Sequence, residues 1–447
     1  MQRQFDTFIF DGYTFNKSSG ELSLKYSIDH KLELIEILRF DVSSINWDLV
    51  DETALDQACA CLHLAGGISY YKSFCPPHII VKSQSLNLKQ ADFWNIFYTK
   101  GLAEFFFSNQ IDSQGLIAFP VNSQSSSSRV CLQLPERSLV PIGGGKDSIV
   151  TAESMLLAEL DFSCFSLNQA KPIKDTIDLI GKPAITVNRQ LDPLLFQLNQ
   201  QGALNGHVPI TGYLSCVAVL AALLHGYKYI VMSLEKSADY PQVISADQQV
   251  NHQYSKSREF EDNLSKYLAD FVCADLHYFS ILRPFYELHI AKLFSEICRD
   301  KPEYLGVFTS CNSNFRQQDG QRLSSWCGRC PKCAFVFTIL SPFLAADKLI
   351  ATFKKNLFQD HSLVGLYRSL LGLTEQLPFE CVGTAQETQV ALWMACNKKE
   401  FSSTPVVEMF RHEVLPQMDN PAQAAENLLM RAESCRLPAA FKGLLHD

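Results

Sequence analysis

Ser138–Leu160, SLVPIGGGKDSIVTAESMLLAEL, runs from a short β-branched strand (SLVPIG) through a glycine turn into a helix with apolar residues at helical spacing. Gly143, Gly144 and Gly145 let the backbone turn tightly and bring N–H groups against an anion. The following helix adds the positive end of its dipole. Lys146 offers a charge, Ser148 a hydroxyl donor, and Asp147 a carboxylate able to hold Mg²⁺ against pyrophosphate oxygens. The stretch is not a Walker A loop, because the G-x-x-x-x-G-K-[ST] spacing is missing. It predicts nucleotide binding; the plainer reading is a glycine-rich turn without a ligand.

Outward from this loop, residues 130–349 alternate short apolar runs with helical patterns. SLVPIG, FSCFSL, PAITVNR, YKYIVMSL and YLGVFTS are the strand candidates. Such alternation predicts an α/β fold, a parallel sheet with helices on both faces. Residues 1–129 form an N-terminal α+β segment. FDTFIFDGYTFN and ELSLKYSID make a hairpin around KSSG, KLELIEILRF is a third strand, and a helix begins at the N-cap Asp51. SQSSSSR, Ser123–Arg129, is the most linker-like stretch and sets the boundary. Residues 350–447 read as a helical C-terminal region.

The 447 residues are long enough for about three domains. With 47% hydrophobic and 19% charged residues, the chain can bury a large core and is not a disordered or fibrous protein. A net charge of −8 provides no global positive field, so nucleic acid is not an expected partner. The longest apolar stretch, Cys216–Leu224, is far short of the roughly 20 residues needed to cross a bilayer. MQRQFDTFIF has no basic and apolar export pattern. A cytoplasmic protein without membrane contact, its 15 cysteines reduced, is the expectation. Cys311, Cys327, Cys330 and Cys333, spaced C-x15-C-x2-C-x2-C, are the ligand set of a structural tetrahedral Zn²⁺ site, with redox pairing or chance proximity as the alternatives.

The glycine loop resembles the S-G-G-x-D-S loop of the PP-loop ATP pyrophosphatases, with Gly143 where that family usually has Ser. The resemblance implies an ATP-binding PP-loop domain of HUP-like fold over residues 130–349. It also implies cleavage of ATP between the α and β phosphates, with Mg²⁺. The Ser hydroxyl missing at Gly143 removes one pyrophosphate contact.

A narrower resemblance rests on GGISYYKSFCPP (66–77), NGHVPITGYLS (205–215), SLEKSAD (233–239), NHQYSKS (251–257), LRPFYELHIAKLF (282–294), SCN…WCGRCPKCAFVF (310–337) and FECVGT (379–384). Together they are similar to the MurL family of muramoyl-dipeptide epimerases, over nearly the whole chain. That likeness implies an isomerase of peptidoglycan precursor synthesis. ATP activates the terminal L-Glu of UDP-MurNAc-L-Ala-L-Glu as an acyl adenylate, Cα is inverted by deprotonation and reprotonation, and hydrolysis leaves the D-Glu product, AMP and diphosphate. It also implies a partner ligase that adds L-Glu to UDP-MurNAc-L-Ala. Competing readings are a PP-loop enzyme of deazaguanine or tRNA modification, and a non-catalytic ATP sensor.

Within that likeness His252 and Lys256 are candidates for proton transfer, with His207 and His289 as further ones. Cys216, Cys273 and Cys381 are thiol candidates, and Cys381, in a glycine and polar turn, is the strongest of them. Each is also read as an ordinary structural group. Glu235 and Asp239 follow a strand at its carboxyl end, where ligands bind in open α/β sheets, and are assigned to the nucleotide pocket with the loop residues. Lys72 and Tyr71, with Tyr70, either meet the UDP portion or pack the N-terminal segment. His207 is expected to touch substrate. Arg283 and Arg316 either grip a glutamate carboxylate or form salt bridges.

Overall fold

The computed structural model describes residues 5–124, 129–244, 249–314, 325–432 and 437–444. Its main sheet has nine strands in the order β11-β8-β5-β6-β7-β3-β2-β1-β4. These are β1 Thr7–Asn16, β2 Glu21–Ile28, β3 Leu32–Arg39, β4 His78–Val81, β5 Ser138–Pro141, β6 Phe162–Leu167, β7 Ala184–Gln190, β8 Tyr229–Met232 and β11 His277–Ser280; β9 Val243–Ile244 and β10 Gln249–Val250 form a separate ribbon. From β11 to β7 the neighbours are parallel. β3 then pairs antiparallel with β7, the meander β3–β2–β1 follows, and β4 pairs parallel with β1.

Adjacent residues on the central strands face opposite cores, as the pleat requires. Leu139, Phe165, Ile230 and Tyr278 join one apolar cluster, which Val140, Cys164, Val231 and Phe279 do not share, because they belong to the other. The first cluster is completed by β1–β3 and by the helices Glu52–Gly66, Leu88–Gly101, Ile210–His225 and Arg258–Phe271. The second is completed by Lys146–Leu157, Glu287–Asp300, Pro331–Leu340 and the helices beyond residue 350. The N-terminal segment therefore shares a core with half of the parallel sheet. Part of the expected linker, 125–128, lies outside the described residues.

A buried ion pair welds the antiparallel and parallel halves. Glu36 on β3 is fully buried and accepts two hydrogen bonds from Arg189 on β7, at 3.0 and 2.8 Å. The guanidinium lies 3.8 Å from the ring centroid of Tyr213, whose hydroxyl also donates to Glu36, and Ser69 takes a further N–H at 3.0 Å.

One expected strand is corrected. YLGVFTS does not enter the sheet; Tyr304–Val307 makes a helical turn. Glu303 already has helical backbone angles after Pro302, and the Phe308 N–H donates to the Tyr304 carbonyl at 3.0 Å. That spacing puts the Tyr304 and Phe308 rings into the second core together. The edge place goes to β11, HYFS, four residues too short to stand out by periodicity.

Candidate active site

The chain builds β5, β6 and β7 in one direction and then returns to place β8 on the other side of β5. Strand order reverses between β5 and β8, and in open α/β sheets the crevice at such a reversal takes the ligand. Two loops meet there, residues 142–145 after β5 and 233–239 after β8.

The glycine loop has the form that the sequence suggests. Gly144 has φ +78°, where a side chain is strained, and its Cβ would lie 3.4 Å from the Pro172 backbone. Its carbonyl accepts the Thr309 N–H at 2.8 Å, and nothing stands within 4 Å of a Cβ built on Gly143. The helix Lys146–Leu157 starts directly behind, capped without a side chain by Gly145. The Ser148 hydroxyl donates to the Gly145 carbonyl at 3.0 Å. Lys146 does not reach toward the loop opening: it is buried, 2.5 Å from Asp147 Oδ1 and paired with Glu287. Burial opposes its charge, yet those two carboxylates hold its pKa above the ordinary lysine value. Glu287 is pushed up to about 8 by burial and by repulsion from Asp147 and Glu235, against the pull of Lys146.

Beside this group, four segments far apart in sequence bring Glu104, His207, His252, Lys256 and Cys381 together. His252 Nδ1 lies 2.5 Å from Glu104 Oε2, and His207 Nδ1 lies 3.4 Å from the same oxygen, the two rings 4.3 Å apart. His252 also hydrogen-bonds Cys381. Burial disfavours the His252 charge, but the bonds and charges of Cys381 and Glu104 lift its pKa to about 9. Cys381 moves the other way: burial would raise its pKa, but Lys256, Lys332 and His252 pull it well below the ordinary thiol value. Lys256 stays charged despite burial, because Cys381, Glu235, Asp147 and Glu287 surround it. His207, buried beside a charged His252, is depressed to about 3 and is neutral. The result is a thiolate, an imidazolium and a carboxylate in a row, flanked by an ammonium that also feels the loop aspartate.

The Cys381 turn is clamped. Gln253 donates to the Val382 carbonyl at 3.0 Å, and Asn312 donates to Glu380 at 2.5 Å. Glu387 closes a capping box with Thr384 and accepts from Ser237 at 2.9 Å, tying the turn to the loop after β8. A Cβ on Gly383 would meet Phe335 at 2.7 Å.

For Arg283 and Tyr71 the contacts seen are those of the structural alternative. Every guanidinium nitrogen of the buried Arg283 is already engaged: two bonds to Glu261 at 3.0 and 2.7 Å, and one each to the carbonyls of Glu235 and Lys256 at 2.8 Å. It ties the Glu235 loop, the Lys256 turn and Glu261 together, which leaves no N–H fork for a substrate carboxylate. Tyr71 has no exposed surface and packs its ring edge-on against Phe8 and Tyr98, so it offers no face to a base. Lys72 is buried and donates to Asn205 at 2.9 Å, with burial lowering its pKa to about 8. Glu235 is buried inside the site, while Asp239 points outward and accepts from the Arg258 backbone at 2.6 Å. Arg316 lies outside the described residues. Glu104, Glu287 and Lys332 were not anticipated. A lone acid beside buried aromatics, as in AEFFF and FYELH, is the signal that could have found the first two.

Cys311, Cys327, Cys330 and Cys333 converge so that all four sulfurs lie within 4.8 Å of one another. Neighbouring pairs are 3.9, 3.6 and 3.5 Å apart. Four thiols at such separations suit one tetrahedral soft-ligand ion.

A glycine loop at a strand-order reversal, joined to a polarised Cys–His–Glu row, defines an α/β enzyme. The family model of the MurL N-terminal domain matches residues 1–281, and that of the MurL C-terminal domain residues 307–426. The chain belongs to the MurL family. A Xanthomonas oryzae pv. oryzae protein is 36% identical over 440 residues, 98% of this chain and 97% of its own. A Salinispora tropica protein is 36% identical over 417 residues, 91% and 88% of the two chains. A Micromonospora protein is 34% identical over 409 residues, 91% and 90%. All three are named UDP-N-acetyl-alpha-D-muramoyl-L-alanyl-L-glutamate epimerase. Among the described residues no helix is long and apolar enough to cross a membrane.

Proposed function

We infer that the protein is an ATP-dependent epimerase acting on the terminal L-Glu of UDP-MurNAc-L-Ala-L-Glu, made by a ligase that adds L-Glu to UDP-MurNAc-L-Ala. The observation that carries this reading is the junction of two half-sites at one crevice. The Gly143–Gly145 backbone suits a nucleotide phosphate and Asp147 the cation that accompanies it, and the Cys381–His252–Lys256 group suits proton transfer.

The two halves answer one chemical difficulty. A carboxylate makes its neighbouring Cα–H a very weak acid, because the carbanion would sit beside a negative charge. Joining that carboxylate to AMP removes the charge and lets the carbonyl take electron density. ATP supplies the activation; Asp147 would hold Mg²⁺, whose charge would offset that of the pyrophosphate oxygens. The loop N–H groups and the helix behind them orient the phosphates, and Glu235 and Glu287 hold Lys256 and Lys146 charged and in place. Proton removal and return at Cα fall to the buried cluster, with His252 as the base once its own proton has been passed on and Lys256 as the proton donor. The four-cysteine group fits Zn²⁺ in a closed, structural role. It would fix Thr309, which braces Gly144, and Asn312, which braces Glu380.

The test is incubation with ATP, Mg²⁺ and UDP-MurNAc-L-Ala-L-Glu in D₂O. D-Glu carrying one deuterium, with AMP and pyrophosphate in equal amounts, is the expected result. AMP without inversion would point to another substrate, and inversion without AMP would overturn activation. Metal analysis of the purified chain should find about one zinc, lost in a Cys327→Ser, Cys330→Ser variant.

A further inference from the structure

The Cys381–His252–Glu104 row has the arrangement of an activated nucleophile: a thiol beside an imidazole whose Nδ1 lies 2.5 Å from a carboxylate, the two turns held together by the Gln253 bond to the Val382 carbonyl at 3.0 Å. Two lysines, Lys256 and Lys332, add positive charge around the sulfur. The turn that carries it is clamped from three directions, by Gln253, Asn312 and the Glu387 capping box. Lys256 feels both Cys381 and Asp147, so the sulfur stands beside the place where the acyl group would be activated.

A proton acceptor works best when its pKa lies near the working pH. A thiol stabilised as thiolate by this many cations is a weak base but remains a competent nucleophile. We propose that Cys381 takes the activated glutamyl group from the adenylate as a thioester, and that Cα is inverted while the group is held on sulfur; this rests on the activation reading above.

The Cys381 sulfur bonds to the glutamyl carbonyl carbon as the bond from that carbon to the AMP phosphate oxygen breaks. AMP leaves with the electron pair, and the His252 proton passes to its phosphate. Loss of the thiolate charge removes what kept His252 protonated, so the neutral imidazole now removes the Cα proton, and the electrons move into the thioester carbonyl. Lys256 returns a proton to the opposite face. Water then cleaves the C–S bond, giving the carboxylate and the thiolate and releasing two protons. One restores Lys256 and the other leaves to solvent, and His252 keeps the proton taken from Cα beside the thiolate. The order explains why one enzyme carries both an adenylating loop and a nucleophile triad. Release of AMP also vacates the carbonyl face and leaves an acyl group whose Cα–H is far more acidic than in the carboxylate.

The full chain, mixed with ATP, Mg²⁺ and UDP-MurNAc-L-Ala-L-Glu, is quenched in acid over a single turnover, and intact and peptide masses are read. The expected result is an added UDP-MurNAc-dipeptidyl group on the peptide bearing Cys381, removed by neutral hydroxylamine. Cys381→Ser should carry the same group as a slower-hydrolysing ester, with turnover down at least about 10³-fold. AMP and inverted product with no adduct on Cys381 at any quench time, and none on the serine variant, would overturn the proposal. Absence of AMP and pyrophosphate from the wild-type chain would instead fail the activation reading on which it rests.

Discussion

Two groups of buried charge stand about one sheet, and they are built on opposite plans. At the β3–β7 junction one carboxylate meets one guanidinium through two hydrogen bonds, and Tyr213 and Ser69 take up the remaining capacity. At the carboxyl edge of β5 and β8, Asp147, Glu235 and Glu287 crowd two ammonium groups, and Lys256 is shared with a thiolate. The first arrangement leaves each charge with its own partner and nothing to offer a ligand. The second leaves its charges in conflict with burial and with one another: burial and neighbouring carboxylates push Glu287 to about 8, while opposite charges lift His252 to about 9 and draw Cys381 far down. A substrate, an Mg²⁺ ion or a proton can resolve that conflict, which is why opposed pKa displacements mark functional sites.

Breaking the matched pair should therefore damage the fold, and breaking the mismatched group should damage chemistry. Glu36→Ala strands a buried guanidinium, and the expected loss is about 3–5 kcal/mol of unfolding free energy, read by urea denaturation. A loss under 1 kcal/mol would show that the junction is not a weld. Asp147→Asn should leave the urea midpoint nearly unchanged, because Lys146 keeps Glu287. Pyrophosphate release should fall about 10²–10³-fold, as when one preorganised charge contact is removed. Unaltered release would remove Asp147 from the nucleotide site.

The two regions also differ in how far the sequence revealed them. The glycine loop was legible because its evidence is local: three glycines, a strand before and a helix after, within 23 residues. The cysteine group was legible for the same reason, and the structure gathers its four sulfurs. Arg283 and Tyr71 stayed between two readings because a side chain's chemistry says nothing of what already occupies it; Glu261, 22 residues away, takes the guanidinium. Glu104 carries only the faint local signal of an acid beside aromatics, which says nothing of its partner. It lies in a short helix of the N-terminal segment, 148 residues from His252, and only the shared core brings the two together. The same holds for Glu36 and Arg189, 153 residues apart. Long-range pairing of charges is a tertiary property with no periodic signature.

Glu104 gives the smallest effect and separates the two plans most finely. It supports His252 as Glu36 supports Arg189, but His252 titrates within reach of neutral pH and arginine does not. The folded-state pKa of His252, about 9, lies above its unfolded value, so the thiolate–imidazolium pair is complete at low pH. Its contribution to stability and to kcat/KM is lost as pH rises through about 9. Glu104→Gln removes a charge and an acceptor, and that alkaline limb should move down by roughly one to two units. Near pH 8.5 kcat/KM should then fall about tenfold, with little change near pH 6, and Glu104→Asp should restore most of the profile. A uniform loss at every pH would mean that Glu104 merely holds the helix. An unshifted limb with full activity would mean that His252 owes its charge to Cys381 alone.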